Sequence, residues 1–200
     1  MILITAFEPF DETGLNSSLE TLCTWQRQTS HSVRTAILPV RYEADVETLD
    51  EVLADGEPAT ILHLGQTTRG HIEIERMAVN LKLLSFETSA DGPLQHAPIL
   101  PHAPAAYEAT IPIEPIVRAM VSRDLPARDS AHAGTYLCNH IMFRSLHRAA
   151  TQGLATRVGF IHLPRLPAQA QLMNEDIPTL PLDVLVESLG IAVDRLLKVG

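Results

Sequence analysis

Three short, nearly continuous apolar runs limit most tightly how this chain can fold: residues 2–6, 59–64 and 158–163. Each is too short for a core helix and carries β-branched residues, so each reads as a strand. The lack of polar alternation, clearest in 2–6, is that of a strand covered on both faces, which is the habit of parallel sheets. Amphipathic stretches separate the runs. Residues 17–28 form a helical pattern capped by Asn16 or Ser17, with Glu20 placed to complete a capping box on Ser17. Residues 43–54 set Val46, Leu49, Val52 and Leu53 on one face. Residues 32–38 and 127–130 read as further strands, and 72–79 as an extended segment. Glu114 and Pro115 open a helix to about Ser122. Residues 180–197 form an amphipathic terminal helix. Residues 81–104 are rich in Pro, Ser, Thr and His without a period, the mark of a long loop. The reading is α/β: a single-domain three-layer sandwich over residues 1–200, with a mainly parallel or mixed sheet and helices on both faces.

A chain of 200 residues is long enough to bury a substantial core. Its 15 Lys and Arg against 24 Asp and Glu give a formal charge of -9, and no basic stripe breaks that balance, so nucleic acid is not an expected partner. Two cysteines, Cys23 and Cys138, cannot build a disulfide framework. The apolar N-terminus lacks a basic leader and reads as a strand, not a signal peptide. No apolar run approaches a membrane span. The expected location is the cytoplasm. There is no H-E-x-x-H, cysteine cluster, G-x-G-x-x-G or P-loop, so neither a metal nor another cofactor is expected.

In open α/β sheets, sites form beyond the carboxyl ends of strands. One such place is Ala133-Gly134-Thr135-Tyr136-Leu137-Cys138-Asn139-His140, a small-residue turn running into a helical pattern. Cys138 falls in the first helical turn, where unpaired N–H groups and the positive pole favour a thiolate; the alternative is a small core residue. Cys23 sits mid-helix and reads as core filler. A thiol nucleophile needs a base. His140 is two residues away on the same helix and points to another side, so it packs or faces solvent. His162, which ends the stretch Val158-Gly159-Phe160-Ile161-His162 just before Pro164, is the better candidate. Glu75 lies in the apolar Ile72-Glu73-Ile74-Glu75 and can orient an imidazole. Against that stands an ordinary ion pair, Glu75 with Arg76 or Glu73 with Arg69.

Four blocks carry a resemblance. They are Thr5-Ala6-Phe7-Glu8-Pro9-Phe10, Ile74-Glu75-Arg76-Met77-Ala78-Val79-Asn80, the Cys138 block above, and Gly159-Phe160-Ile161-His162-Leu163-Pro164. In this order they resemble the pyrrolidone-carboxylate peptidases, or pyroglutamyl peptidases I, which are cysteine exopeptidases. The resemblance implies a Cys138–His162–Glu75 triad that removes an N-terminal pyroglutamyl residue from peptides. It implies that Phe7 and Phe10 line the slot for the lactam ring, although one of them can instead plug the core. It also implies that Gln66 bonds the lactam. Members of the family often form homo-oligomers.

The chain departs from the family pattern in three places. Asp11 and Glu12 stand where a Gly pair is usual. The loop from Gly65 to Gly70 is shorter and poorer in Gly. Ser85 falls near the position of an arginine that assists the oxyanion in the family, which implies slower turnover unless Lys82, Arg69 or Arg76 reaches in. Alternatives to the leading reading are a hydrolase of another small N-terminal acyl group and a non-catalytic binding homologue that kept the fold.

Overall fold

The computed structural model describes residues 1–84 and 95–198. In chain order the elements are β1 (Ile2–Phe7), α1 (Ser17–Gln28), β2 (Arg34–Leu38), α2 (Ala44–Leu53), β3 (Thr60–Thr67), β4 (Ile72–Glu75), β5 (Met77–Val79) and β6 (Lys82–Leu83). There follow β7 (His96–Ala97), β8 (Ala106–Glu108), α3 (Ile113–Val121), β9 (Ala127–Ser130), α4 (Leu137–Gln152), β10 (Arg157–Pro164), α5 (Pro167–Met173) and α6 (Leu182–Lys198).

Six strands form one sheet in the order β2-β1-β3-β10-β4-β9. All neighbours are parallel except β10 and β4, which are antiparallel. The alternation of side chains along each strand assigns the two faces. Ile2, Ile4, Leu62, Leu64, Ile72, Ile74, Ile161 and Leu163 lie on one face under α1, α3 and α6. Leu3, Phe7, Ala36, Leu38, Ile61, Val158 and Phe160 lie on the other under α2 and α4. The continuous apolar runs are therefore explained: both faces of the central strands are dry. Burying one such Leu or Ile contributes about 1.5–3 kcal/mol. The two short ribbons, β5 with β8 and β6 with β7, lie outside this sheet. Among the described residues no helix is long and apolar enough to cross a membrane.

Several local expectations are corrected. The third strand does not stop at Gly65; it runs to Thr67, because β10 pairs with it along its whole length. Gly65 and Gln66 are thus strand residues. For the same reason His162 lies inside β10, two residues before its end. The extended segment 72–79 is two strands that break at Arg76, β4 joining the main sheet and β5 leaving it. The expected loop 81–104 contains β6 and β7. Helix α1 is capped by the Asn16 side chain, which accepts from Ser18 N at 3.0 Å. The Ser17–Glu20 box does not form, because Ser17 N donates instead to Gln66 Oε1 at 2.9 Å. Helix α5 was not expected; its start is marked only by Pro167 in the first turn.

Candidate active site

The helix that carries Cys138 is fixed at both ends. Gly153 takes a left-handed conformation (φ 64°) and stops it, the usual service of glycine at that position. At the start, buried Asn139 clamps the neighbouring ribbon. Its Oδ1 accepts from Val79 N at 2.8 Å, and its Nδ2 donates to Val79 O at 2.8 Å and Leu81 O at 3.0 Å. No side chain caps the first turn of α4, so its N–H groups stay available at the site. Cys138 sits in that turn, half-buried.

The thiol is seated over Gly65. A Cβ on Gly65 would stand 2.9 Å from Cys138 Sγ and 2.6 Å from Phe160 Cζ, closer than such atoms approach. Glycine is needed here for space, since β3, α4 and the Phe160 ring converge on one point. Gly65 is in register with His162 on β10, so the imidazole rises from the neighbouring strand beside the sulfur.

His162 Nδ1 lies 2.7 Å from Glu75 Oε1, and the Glu75 side chain is fully buried. Burial works against a charge on the imidazole. The negative charge of a Cys138 thiolate, its hydrogen bond, and then the Glu75 carboxylate outweigh that effect and push His162 up to about 10. The imidazole is therefore cationic at neutral pH, held between sulfur and carboxylate. Of the two ion-pair alternatives, Glu73 with Arg69 does form, and Arg128 joins it; Glu75 with Arg76 does not, since Arg76 binds Glu114 and Asp129.

A cleft of about 700 Å³ opens beside Cys138, bounded by Phe7, Phe10, Val40, Gln66, Tyr136 and Leu137 among others. Phe7 is 4 % exposed, packing in the core and bordering the cleft; Phe10 is 52 % exposed at its lip. Gln66 Oε1 accepts from Ser17 N at 2.9 Å and from Gln169 Nε2 at 2.8 Å. Those two donors fix the amide orientation. They leave Gln66 Nε2 buried at the cleft wall without a partner among the described residues.

His140 packs rather than facing solvent. It is fully buried, with Nδ1 2.8 Å from Asp45 Oδ2 and the ring edge-on to Tyr42 at 5.0 Å. Lys82 reaches Glu43 at 3.4 Å and lies over the Tyr42 ring. Ser85 falls outside the described residues. Two residues that position the site escaped the sequence reading, Asn139 and Gln169. A buried amide that works through backbone partners far along the chain leaves no local pattern, although Gln169 does follow the Pro167 that starts α5.

A family model described as pyroglutamyl peptidase matches residues 1–199. Pyrrolidone-carboxylate peptidase 1 of Photorhabdus laumondii is 34% identical over 205 residues, covering 98% of this chain and 93% of the relative. The pyrrolidone-carboxylate peptidase of Chromobacterium violaceum is 36% identical over 202 residues, covering 100% of this chain and 93% of that one. Among solved structures, a mutant pyrrolidone carboxyl peptidase from Pyrococcus furiosus superposes with a TM-score of 0.86 at 30% identity over 98% of both chains. The pyroglutamyl peptidase I of Bacillus amyloliquefaciens gives 0.86 at 29% identity, over 98% of this chain and 93% of that one.

Proposed function

Since the chain belongs to the pyroglutamyl peptidase family of cysteine peptidases, we propose that it hydrolyses the bond after an N-terminal pyroglutamyl residue with Cys138, His162 and Glu75 as its triad. The single observation that carries the residue roles is His162, bonded through Nδ1 to buried Glu75 and close enough to Cys138 for a thiolate there to push its pKa up.

In this reading the Cys138 thiolate attacks the pyroglutamyl carbonyl carbon, forming a C–S bond. The resulting oxyanion is met by first-turn N–H groups of α4. As the peptide C–N bond breaks, His162 gives its proton to the departing amine. The now neutral imidazole takes a proton from water as the water attacks the thioester. Pyroglutamate leaves, and the thiolate–imidazolium pair is restored. Glu75 holds the ring through Nδ1 and offsets its positive charge; it transfers no proton.

The cleft suits a small, flat, neutral ring. Phe7 and Phe10 offer apolar faces, and no charge has to be buried with the ligand. Gln66 Nε2, without a partner among the described residues, donates to the lactam carbonyl. The protein acts as a single catalytic domain over residues 1–200, in the cytoplasm, on pyroglutamyl peptides and without a metal.

A chromogenic pyroglutamyl amide tests the reading. Wild type and Cys23→Ala are expected to release the chromophore at similar rates, and a thiol alkylator to stop both. Cys138→Ala is expected to be inactive while keeping the wild-type fold, read from its circular dichroism spectrum. Wild-type turnover by Cys138→Ala would end the proposal.

A further inference from the structure

A second cleft, of about 340 Å³, lies on the same face of the sheet and is bounded by Arg69, Glu73, Arg128, Asp129, Ser130, Ala131 and His132. At its base is Glu73, 1 % exposed. Arg69 Nη1 donates to Glu73 Oε2 at 2.8 Å; Arg128 donates to Oε1 from Nε at 3.0 Å and from Nη2 at 2.6 Å. Burial opposes the Glu73 charge, but the bonds from Arg128 and Arg69 hold its carboxyl below the usual range. Asp129, at the rim, is already bound to Arg76 at 2.5 Å. Two guanidiniums therefore face the one carboxylate at the base of the cleft, one positive charge more than Glu73 itself balances, while Asp129 at the rim shares Arg76 with Glu114. Each guanidinium carries five N–H donors and is about half exposed, so neither is used up by Glu73.

The position of this charge gives it meaning. Glu73 is the register partner of His162, and Arg128 is the register partner of Glu73. Registered residues point to the same face, with Cβ atoms about 4.5–5.5 Å apart across an antiparallel pair. Across the sheet the order is thus the Phe7–Phe10 cleft over β1 and β3, Cys138 over Gly65, His162 on β10, and the arginine cleft over β4 and β9. An acyl group seated in the first cleft leaves its amine on the His162 side, because His162 must protonate it. The departing peptide then points towards Arg69 and Arg128. Extended chain advances about 3.3–3.6 Å per residue, so a carboxylate one or two residues beyond the scissile bond comes within reach of the guanidiniums.

Resting on the pyroglutamyl reading, we propose that Arg69 and Arg128, braced by Glu73, form a subsite for a carboxylate on the leaving peptide. The preferred substrates are then short pyroglutamyl peptides with a free C-terminus, or peptides with an acidic side chain just after the pyroglutamyl residue.

Two peptide pairs test this in wild type: pyroglutamyl-alanyl-alanine against its C-terminal amide, and pyroglutamyl-glutamic amide against pyroglutamyl-glutamine amide. A kcat/KM preference of about fivefold for the charged member, the upper range for a half-exposed pair, is expected in at least one pair and should shrink as salt is raised. The responding pair identifies which carboxylate is read. Arg128→Gln and Arg69→Gln each leave Glu73 one cationic partner, and each should bring the ratio close to one. Equal rates within both pairs for wild type, or a preference that survives in both variants, overturns the subsite. A wild type that cleaves none of the four peptides overturns the functional reading, and the subsite with it.

Discussion

At the residue scale, the candidate site places charge where water is scarce. Glu75 is buried in an apolar segment, and His162 Nδ1 lies at 2.7 Å from it. Such a carboxylate is tolerable only with a partner. A group that stabilises the imidazolium matters most when charge moves in the transition state, so Glu75→Gln is expected to lower kcat by at least tenfold with little change in KM. Steady-state rates on a pyroglutamyl amide check this. A rise in KM at unchanged kcat would instead make Glu75 a binding residue.

At the element scale, the site depends on how closely α4 approaches β3. Gly65 permits that approach. Gly65→Ala must displace the Phe160 ring or the Cys138 sulfur, and a shift of about 1 Å in a reacting atom can cost about 10²-fold. The variant is therefore expected to fold but to hydrolyse a pyroglutamyl amide about 10²-fold more slowly, read as kcat/KM beside its thermal unfolding curve. The central strands and long helices were legible because a doubly buried strand and a one-faced helix write their periods into adjacent residues. What was hidden depends on distant partners. Strand β3 extends through Gly65 and Gln66 because β10 is there to pair with it. The Glu20 capping box failed because Gln66 claimed Ser17 N. Cys138, His162 and Glu75 stood out as candidates for another reason: a thiol at a helix start, a histidine at the carboxyl end of a strand and an acid within an apolar segment.

At the scale of the whole molecule, a second histidine ties sheet to helix. His63 is fully buried, with Nδ1 2.7 Å from Thr5 Oγ1 and Nε2 3.0 Å from Ser145 Oγ. Burial lowers it to about 3, so it is neutral in the fold and titrates near 6.5 when unfolded. The unfolded state then binds the extra proton, and folding stability declines as pH falls from 6.5 towards 3, by about 1.4 kcal/mol per unit at most. His162 has the opposite sign: its raised value stabilises the fold at and below pH 6.5, and that contribution is lost as pH rises through about 10. Denaturant unfolding at a series of pH values should show both limbs, with the acid limb flattened in His63→Gln and the alkaline limb flattened in Cys138→Ala.

In the proposed mechanism Cys138 carries the pyroglutamyl group during turnover. Wild type mixed with a pyroglutamyl ester, quenched in acid within one turnover and digested, should yield the peptide containing Cys138 heavier by one pyroglutamyl acyl group, while the Cys23 peptide stays unmodified. Turnover of that ester with the acyl group on Cys23, or on neither cysteine, would contradict the account.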